Sequence, residues 1–313
     1  MKSLVRDSLR ARARNSLRAR ARDSLRIRAR DSLRIRARDS LRIRARDGLR
    51  IRARDGRALG TVHAEWTKLR TLHSTWWLLF AVVALTVLAG AATAASLTAG
   101  DCPVPADCHE DTVKLSLTGV WLGQGAVVVL AVLTMSGEYG TGTIRTTLTT
   151  EPGRIRLLAA KALVLCTLTA AASAVGVLGS LLAGRMLLSA DGFVTPGLTE
   201  GPTLRAAVGT VLYLTLAALI GLGAAAALRD TATAVTSVLG LFYAFPLLAG
   251  LLADPDWQEY ARRAAPATAG LAIQATVDLD QLPIGPWAGI GVLAGYAGAA
   301  LVAGGSVLRM RDA

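Results

Sequence analysis

Hydrophobic and polar positions segregate along this chain on the scale of whole helices. Residues 76–98, 117–135, 162–184, 206–228, 234–253 and 287–308 contain no Asp, Glu, Lys, Arg or His, in runs of 19 to 23 residues. At about 1.5 Å of rise per residue, each run is long enough to cross a hydrocarbon core of roughly 30 Å. Six such runs predict an all-α membrane protein with transmembrane helices at about 76–98, 115–136, 160–184, 205–228, 232–253 and 286–308. Pro246 falls inside the fifth span and predicts a kink there. Small residues recur every fourth position in span four (Ala217, Gly221, Ala225) and span six (Gly291, Gly295, Ala299, Ala303). Such stripes let helices approach closely, within one chain or between subunits.

Outside the spans the pattern changes. Residues 6–53 are six copies of an octapeptide, from RDSLRARA to RDGLRIRA, and a seventh copy breaks off at RDGRALG. Eight residues advance a helix by about 800°, so successive Leu positions drift about 80° and no apolar stripe forms. A period of two survives, but pairing the copies as hairpins would set arginine opposite arginine. Residues 1–57 are therefore expected to form an Arg-rich tail, disordered in solution or weakly ordered on anionic lipid head groups. The near-identity of the copies favours a tandem expansion of the coding sequence over a selected anchor, with Val62 a candidate start if encoded by GTG.

Residues 58–75 lead into the first span. On a helix, Val62, Trp66, Leu69 and Leu72 share a broad face, with Glu65, Lys68 and Arg70 largely away from it. This predicts an amphipathic helix in the membrane interface, anchored by Trp66, Trp76 and Trp77, ahead of a six-helix domain at 76–313. A plain extension of span one is the competing reading. Near the other end of the domain, residues 254–286 are too polar to span and too apolar in their middle for a simple linker. They predict short helices at the outer face, dipping into the membrane.

Charge refines the picture. Residues 1–57 hold 21 Lys+Arg and 6 Asp, whereas the remainder holds 14 basic and 16 acidic residues, so the net +13 belongs to the tail. A nucleic-acid partner for the folded body has no support. With the N-terminus inside, ten basic residues flank the spans on the cytoplasmic side, from Arg57 to Arg311, against five outside. That bias predicts a multi-pass plasma-membrane protein with both termini cytoplasmic. The arginine-rich start lacks an apolar core and a small-residue cleavage site, so no cleavable signal peptide is expected. Cys102 and Cys108 in DCPVPADCHED are spaced for an intraloop disulfide. Metal binding with His109 ranks below it, because one His beside two Cys is an incomplete ligand set. Cys166 reads as a small packing residue in span three.

The remaining question is chemistry. GEYGTGTIRTTL, residues 137–148, resembles a phosphate-cradling loop, but no Lys-Ser/Thr follows the glycines and no strand precedes them. No catalytic constellation appears elsewhere, so neither ATP hydrolysis nor a resident cofactor or metal is expected of this chain. Ion-coupled carriers keep ionisable groups within the membrane, whereas the most polar side chain in these spans is Gln124. Energy must enter from outside the bilayer, and a structured loop between spans two and three is where a soluble motor could push. Trp121, Tyr213, Phe242, Tyr243, Phe245 and Trp287 are candidates to line an apolar pathway, or are packing residues.

Residues 62–313 resemble the membrane-spanning permease subunit of an ABC-2 type transporter. The resemblance is carried by HAEWTKLRTLHSTWW into span one, LSLTGVWLGQ at the opening of span two, GEYGTGTIRTTLTTEPGRIRLLAAKALV from the loop into span three, and the ending LRMRDA. It implies six spans with cytoplasmic termini, an interfacial N-terminal helix and a re-entrant element before span six. It also implies a dimer, with a second copy or a sibling permease, and separate ATPase subunits that bind ATP and Mg. Position by position, Glu138, Tyr139, Gly140, Gly142, Thr143, Ile144 and Arg145 become the segment that docks on the ATPase, closed by Arg154 and Lys161 at the head of span three. The expected function is the permease of an exporter. A polytopic scaffold or sensor-associated protein that transports nothing is the alternative.

Overall fold

The computed structural model describes residues 59–96, 111–140, 142, 153–190, 193, 195–251 and 253–310. The octapeptide tail, Cys102, Cys108, Thr143, Ile144 and Arg145 lie outside the described residues. The described residues are mostly helical, with no strand among them. Helix α1 covers residues 59–71. Then follow α2 (His73–Ser96), α3 (Thr112–Ser116), α4 (Val120–Gly140), α5 (Arg154–Ala190) and α6 (Gly201–Leu228). After these come α7 (Thr231–Gly250), α8 (Pro255–Ala264), α9 (Pro266–Leu271) and α10 (Pro286–Met310). Six of these, α2, α4, α5, α6, α7 and α10, are long and apolar enough to cross a membrane.

Two helices form the centre. In their most apolar stretches 56% of α4 and of α6 is buried, against 22% of α7 and 28% of α10. The small residues of α6 explain its position. Ala217 and Ala225 are fully buried, and a Cβ on Gly221 would touch Ala131 of α4 at 3.0 Å. The stripe on α6 is thus packing within the chain. The stripe on α10 is not: Gly291, Gly295, Ala299 and Ala303 are exposed. Instead α10 meets α6 through Gly304, whose added Cβ would fall 2.7 Å from the Gly223 carbonyl oxygen. Tyr213 of α6 donates to the Gln124 side chain of α4, so the most polar side chain of the spans is buried and engaged.

Three sequence expectations change in detail. The predicted span from 115 is split, because Asp111 caps the one-turn α3 and a turn at 117–119 precedes α4. Helix α5 has 37 residues, well beyond a bilayer core, and carries Arg154, Arg156 and Lys161 on its first turns. At Pro246 the chain adopts a π turn, Gly240–Ala244, in which the Phe245 N–H bonds the Gly240 carbonyl five residues back. The extra residue relieves the clash between the proline ring and the carbonyl of Phe242, four residues earlier. Among the candidate pathway aromatics, Phe242 is buried edge-on against Tyr213.

The segment before α10 is part surface and part interior. Helix α8 has no buried residue, whereas α9 and the 3-10 turn Ala272–Gln274 are buried against α6 and α10. Glycine permits this approach: a Cβ on Gly289 would lie 1.8 Å from the Ala269 carbonyl oxygen.

Candidate functional site: a buried charge cluster at the α1 end

At one end of the bundle α1, α4 and α5 meet, and each contributes a charge. Lys161 follows Leu157 and precedes Leu165 at four-residue spacing, so it lies in the inward stripe of α5. Glu138 sits on the inward side of the last turns of α4, three residues after buried Met135. On α1 the inward stripe is Thr61, Glu65 and Leu69. The side chains of Lys161, Glu138 and Glu65 are only 2%, 4% and 6% exposed.

The geometry is that of a shared cation. Lys161 Nζ lies 2.7 Å from Glu65 Oε2 and 2.7 Å from Glu138 Oε1. Its third direction points to the Thr134 carbonyl oxygen at 3.5 Å. Lys68 of α1 also pairs with Glu138 Oε1, from a side chain that is 41% exposed. Two carboxylates and two ammonium groups leave no net charge. The contributions are unequal: a solvent-facing pair is worth about 0–1 kcal/mol, whereas stripping a buried ion of its partner costs about 3–5 kcal/mol. Lys161 is therefore the keystone and Lys68 an accessory. Glu138 Oε2 is buried and finds no partner among the described residues.

Glu65 corrects the expected face of α1. The pattern put it largely away from the apolar face of α1; the structure turns it inward together with Leu69, while Trp66 and Leu72 of that face are 37% and 45% exposed. The reason is Lys161, whose buried ammonium requires a carboxylate. Arg70 is exposed, and its carbonyl accepts from Trp76 Nε1 at 2.9 Å, which closes the bend between α1 and α2.

A second set of contacts joins the neighbouring helix ends. Arg229 ends α6 in a left-handed conformation, φ 58°, and its guanidinium stands 5.7 Å over the Tyr139 ring. It also donates to the Val307 carbonyl at 3.4 Å, and Arg154 donates to the Leu308 carbonyl at 2.7 Å. Both arginines thus cap the last turn of α10, where carbonyls lack helical partners. Gly140 closes α4, and Gly142 follows at φ +69°, a conformation that L side chains rarely adopt. Its N–H returns to the Tyr139 carbonyl at 3.2 Å. Beside this end, Asp230 caps α7: the Thr233 N–H and hydroxyl donate to it and hold its carboxyl below its ordinary range.

Of the loop residues singled out from sequence, Glu138, Tyr139, Arg154 and Lys161 are therefore engaged within this chain. Gly140 and Gly142 form the turn that leaves α4. Arg229 was not singled out, although an Arg-Asp-Thr step after a charge-free run is a helix stop followed by a cap. Among the described residues no group of three or more His, Cys, Asp or Glu could hold a metal ion.

Six membrane-length helices define a polytopic membrane protein, and among the described residues its buried charges, Glu65, Glu138 and Lys161, lie at one helix junction. The family profile for ABC-2 family transporter proteins matches residues 61–247, more than half of the chain. The chain belongs to that family and is a membrane component of a transport system. The matched stretch includes most of α1, the charge cluster and the residues between α4 and α5. No curated protein is similar enough to this chain to register as a match.

Proposed function

We propose that this chain is the permease subunit of an ATP-driven exporter, energised by a separate ATP-binding subunit and assembled as a dimer with a second copy or a sibling permease. ATP and Mg belong to the partner. Both termini are cytoplasmic in the plasma membrane, a reading supported by the excess of basic flanks on the α1 side. The observation that carries the proposal is the Glu65–Lys161–Glu138 cluster. It joins α1 to the two helices that bound the loop at 141–153, so a push on that loop would reach α1, α4 and α5 together. The loop itself, with Arg145 at its centre, is the docking segment, and Gly142 and Gly140 allow its turn. Glu138 and Lys161 act behind it as transmitters of the push.

Tagged protein co-expressed with the ATPase encoded beside it supplies the test. Wild type, Arg145→Ala and Glu138→Ala are compared for recovery of the ATPase and for its hydrolysis rate. Arg145→Ala is expected to weaken recovery. Glu138→Ala is expected to leave recovery largely intact while uncoupling hydrolysis from transport. No ATPase recovery with wild type, and no effect of either variant, would move the non-transporting scaffold to the front.

A further inference from the structure

Between the start of α4 and the segment that carries α9 lies a cavity of about 230 Å³. Thr118 and Trp121 border it from the α4 side, Leu271 and Gln274 from the other, and Leu282 and Pro283 add apolar surface. Helix α4 has 21 residues and rises about 31 Å, against a hydrocarbon core of roughly 30 Å. Its first turn, with Trp121, therefore stands at the edge of the bilayer, at the end opposite the charge cluster. At about 30 Å³ per liquid water, the cavity has the volume of about eight waters. That suits one substituted ring and is too small for a full acyl chain or a peptide.

The lining is mostly apolar, so its few polar groups decide what fits. Thr118 donates to the Leu115 carbonyl at 2.7 Å and Thr268, also on the border, donates to the Arg262 carbonyl at 2.6 Å. Both hydroxyl hydrogens are thus engaged by nearby backbone. Lys114 stands exposed at the border, where water solvates its ammonium group, so it adds little selectivity. Gln274 differs. It is 4% exposed, and neither atom of its carboxamide has a hydrogen-bond partner among the described residues. Leucine would fill the same place without stranding a polar group, so the carboxamide points to a partner that the chain itself does not supply.

The complement of a carboxamide is another amide, which accepts from its N–H and donates to its carbonyl at once. The terminal torsion of glutamine is broad and two-fold, so either atom can turn to the cavity. The Trp121 indole, 37% exposed, offers a flat apolar face to a ring. We propose that this cavity binds a small neutral amide carried on a single ring, with the ring against Trp121, Leu271 and Leu282 and the amide paired with Gln274. Water is a poorer occupant, because it satisfies the carboxamide but leaves the apolar lining wet. The proposal stands independently of the ATP-driven reading, since it concerns binding by this chain alone.

The test is a saturation-transfer NMR titration of the purified full chain in detergent. Benzamide is the probe, with ethylbenzene and benzoate as its apolar and anionic counterparts. Gln274→Leu is expected to weaken benzamide about tenfold, the scale of a hydrogen bond lost at a buried site, and to leave ethylbenzene unchanged. Its melting temperature is expected to equal or exceed that of wild type, so the lost signal is separated from unfolding. Leu282→Trp, at a half-buried position, is expected to exclude benzamide by filling the cavity. Should that variant fail to elute as a single species, Gln274→Leu decides. Equal binding of benzamide to wild type and Gln274→Leu would overturn the proposal and leave water as the partner of the carboxamide. Tighter binding of benzoate than of benzamide, lost in Lys114→Gln, would overturn it by making the cavity a site for anions.

Discussion

At the α1 end of the bundle, two carboxylates and a buried lysine converge from three helices. At the opposite end a single carboxylate does similar mechanical work with uncharged partners. Asp111 caps α3 through the Lys114 N–H at 3.0 Å and reaches across 165 residues to Thr276, whose hydroxyl donates at 2.7 Å. The Val277 N–H adds a bond at 3.2 Å, and Arg205 clasps the Ala275 carbonyl at 2.6 Å. The rest of that end is close packing of small residues around α9, with Ala267 and Ala269 fully buried. The difference is one of consequence. Loss of a shared buried ion strands its partners in a poorly solvated site, whereas loss of a backbone-directed bond leaves dipoles that water can reach. The α1 end ties three helices together through shared ions; the other holds a segment in place through bonds to its backbone and to Thr276.

The sharpest way to break this contrast is Lys161→Met, which leaves Glu65 and Glu138 facing each other. It is expected to destabilise the protein by about 3–5 kcal/mol, read by thermal or SDS unfolding in detergent. The triple variant Glu65→Gln, Glu138→Gln, Lys161→Met is expected to recover most of that stability while remaining defective in any coupled ATPase assay. Full coupling in the triple variant would show that the cluster only holds the fold.

At the opposite end Asp111→Ala is expected to cost about 1.5–3 kcal/mol, the scale of hydrogen bonds to a charged acceptor. It should also release the 255–281 segment to limited proteolysis, with Asp111→Asn intermediate. A loss as large as that from Lys161→Met would erase the distinction between the ends.

Packing gives a smaller effect within one helix. Gly289→Ala, whose Cβ meets the Ala269 carbonyl, is expected to destabilise by about 1–3 kcal/mol. Gly291→Ala has open space and should be neutral or stabilise by up to about 1 kcal/mol.

The smallest effect belongs to Asp230. Its folded carboxyl titrates below its ordinary value of 3.8 because Thr233 donates to the ionised form. The cap's stabilisation is thus complete above the unfolded value and fades as pH falls through the lower, folded one. Wild type and Asp230→Asn should therefore differ in melting temperature at neutral pH and converge in acid.

Much of the architecture was legible before any coordinates. Charge-free runs of 19 to 23 residues forced helices, since in a membrane only internal hydrogen bonding satisfies the backbone. Gly142 left a local mark too, because it takes a left-handed backbone that needs glycine. Less visible was which face of a helix turns inward. The apolar pattern of α1 sets Glu65 off its apolar face, yet Thr61, Glu65 and Leu69 form a buried stripe at four-residue spacing. Lys161 offered the same hint, as a lysine between Leu157 and Leu165 on a buried stripe. What was missing was the partner, 96 residues away in the chain.

The sequence by itself determined the class and the number of spans. Both follow from hydropathy over one helix length. Only the tertiary structure decided that the four-residue stripe of α6 packs inside the chain while Gly291, Gly295, Ala299 and Ala303 of α10 stay exposed. It alone decided that α9 enters the bundle while α8 stays outside, and that three distant charges share one site. Those outcomes depend on which surfaces meet, and a buried ion can be recognised as satisfied only when the group that neutralises it is beside it in space.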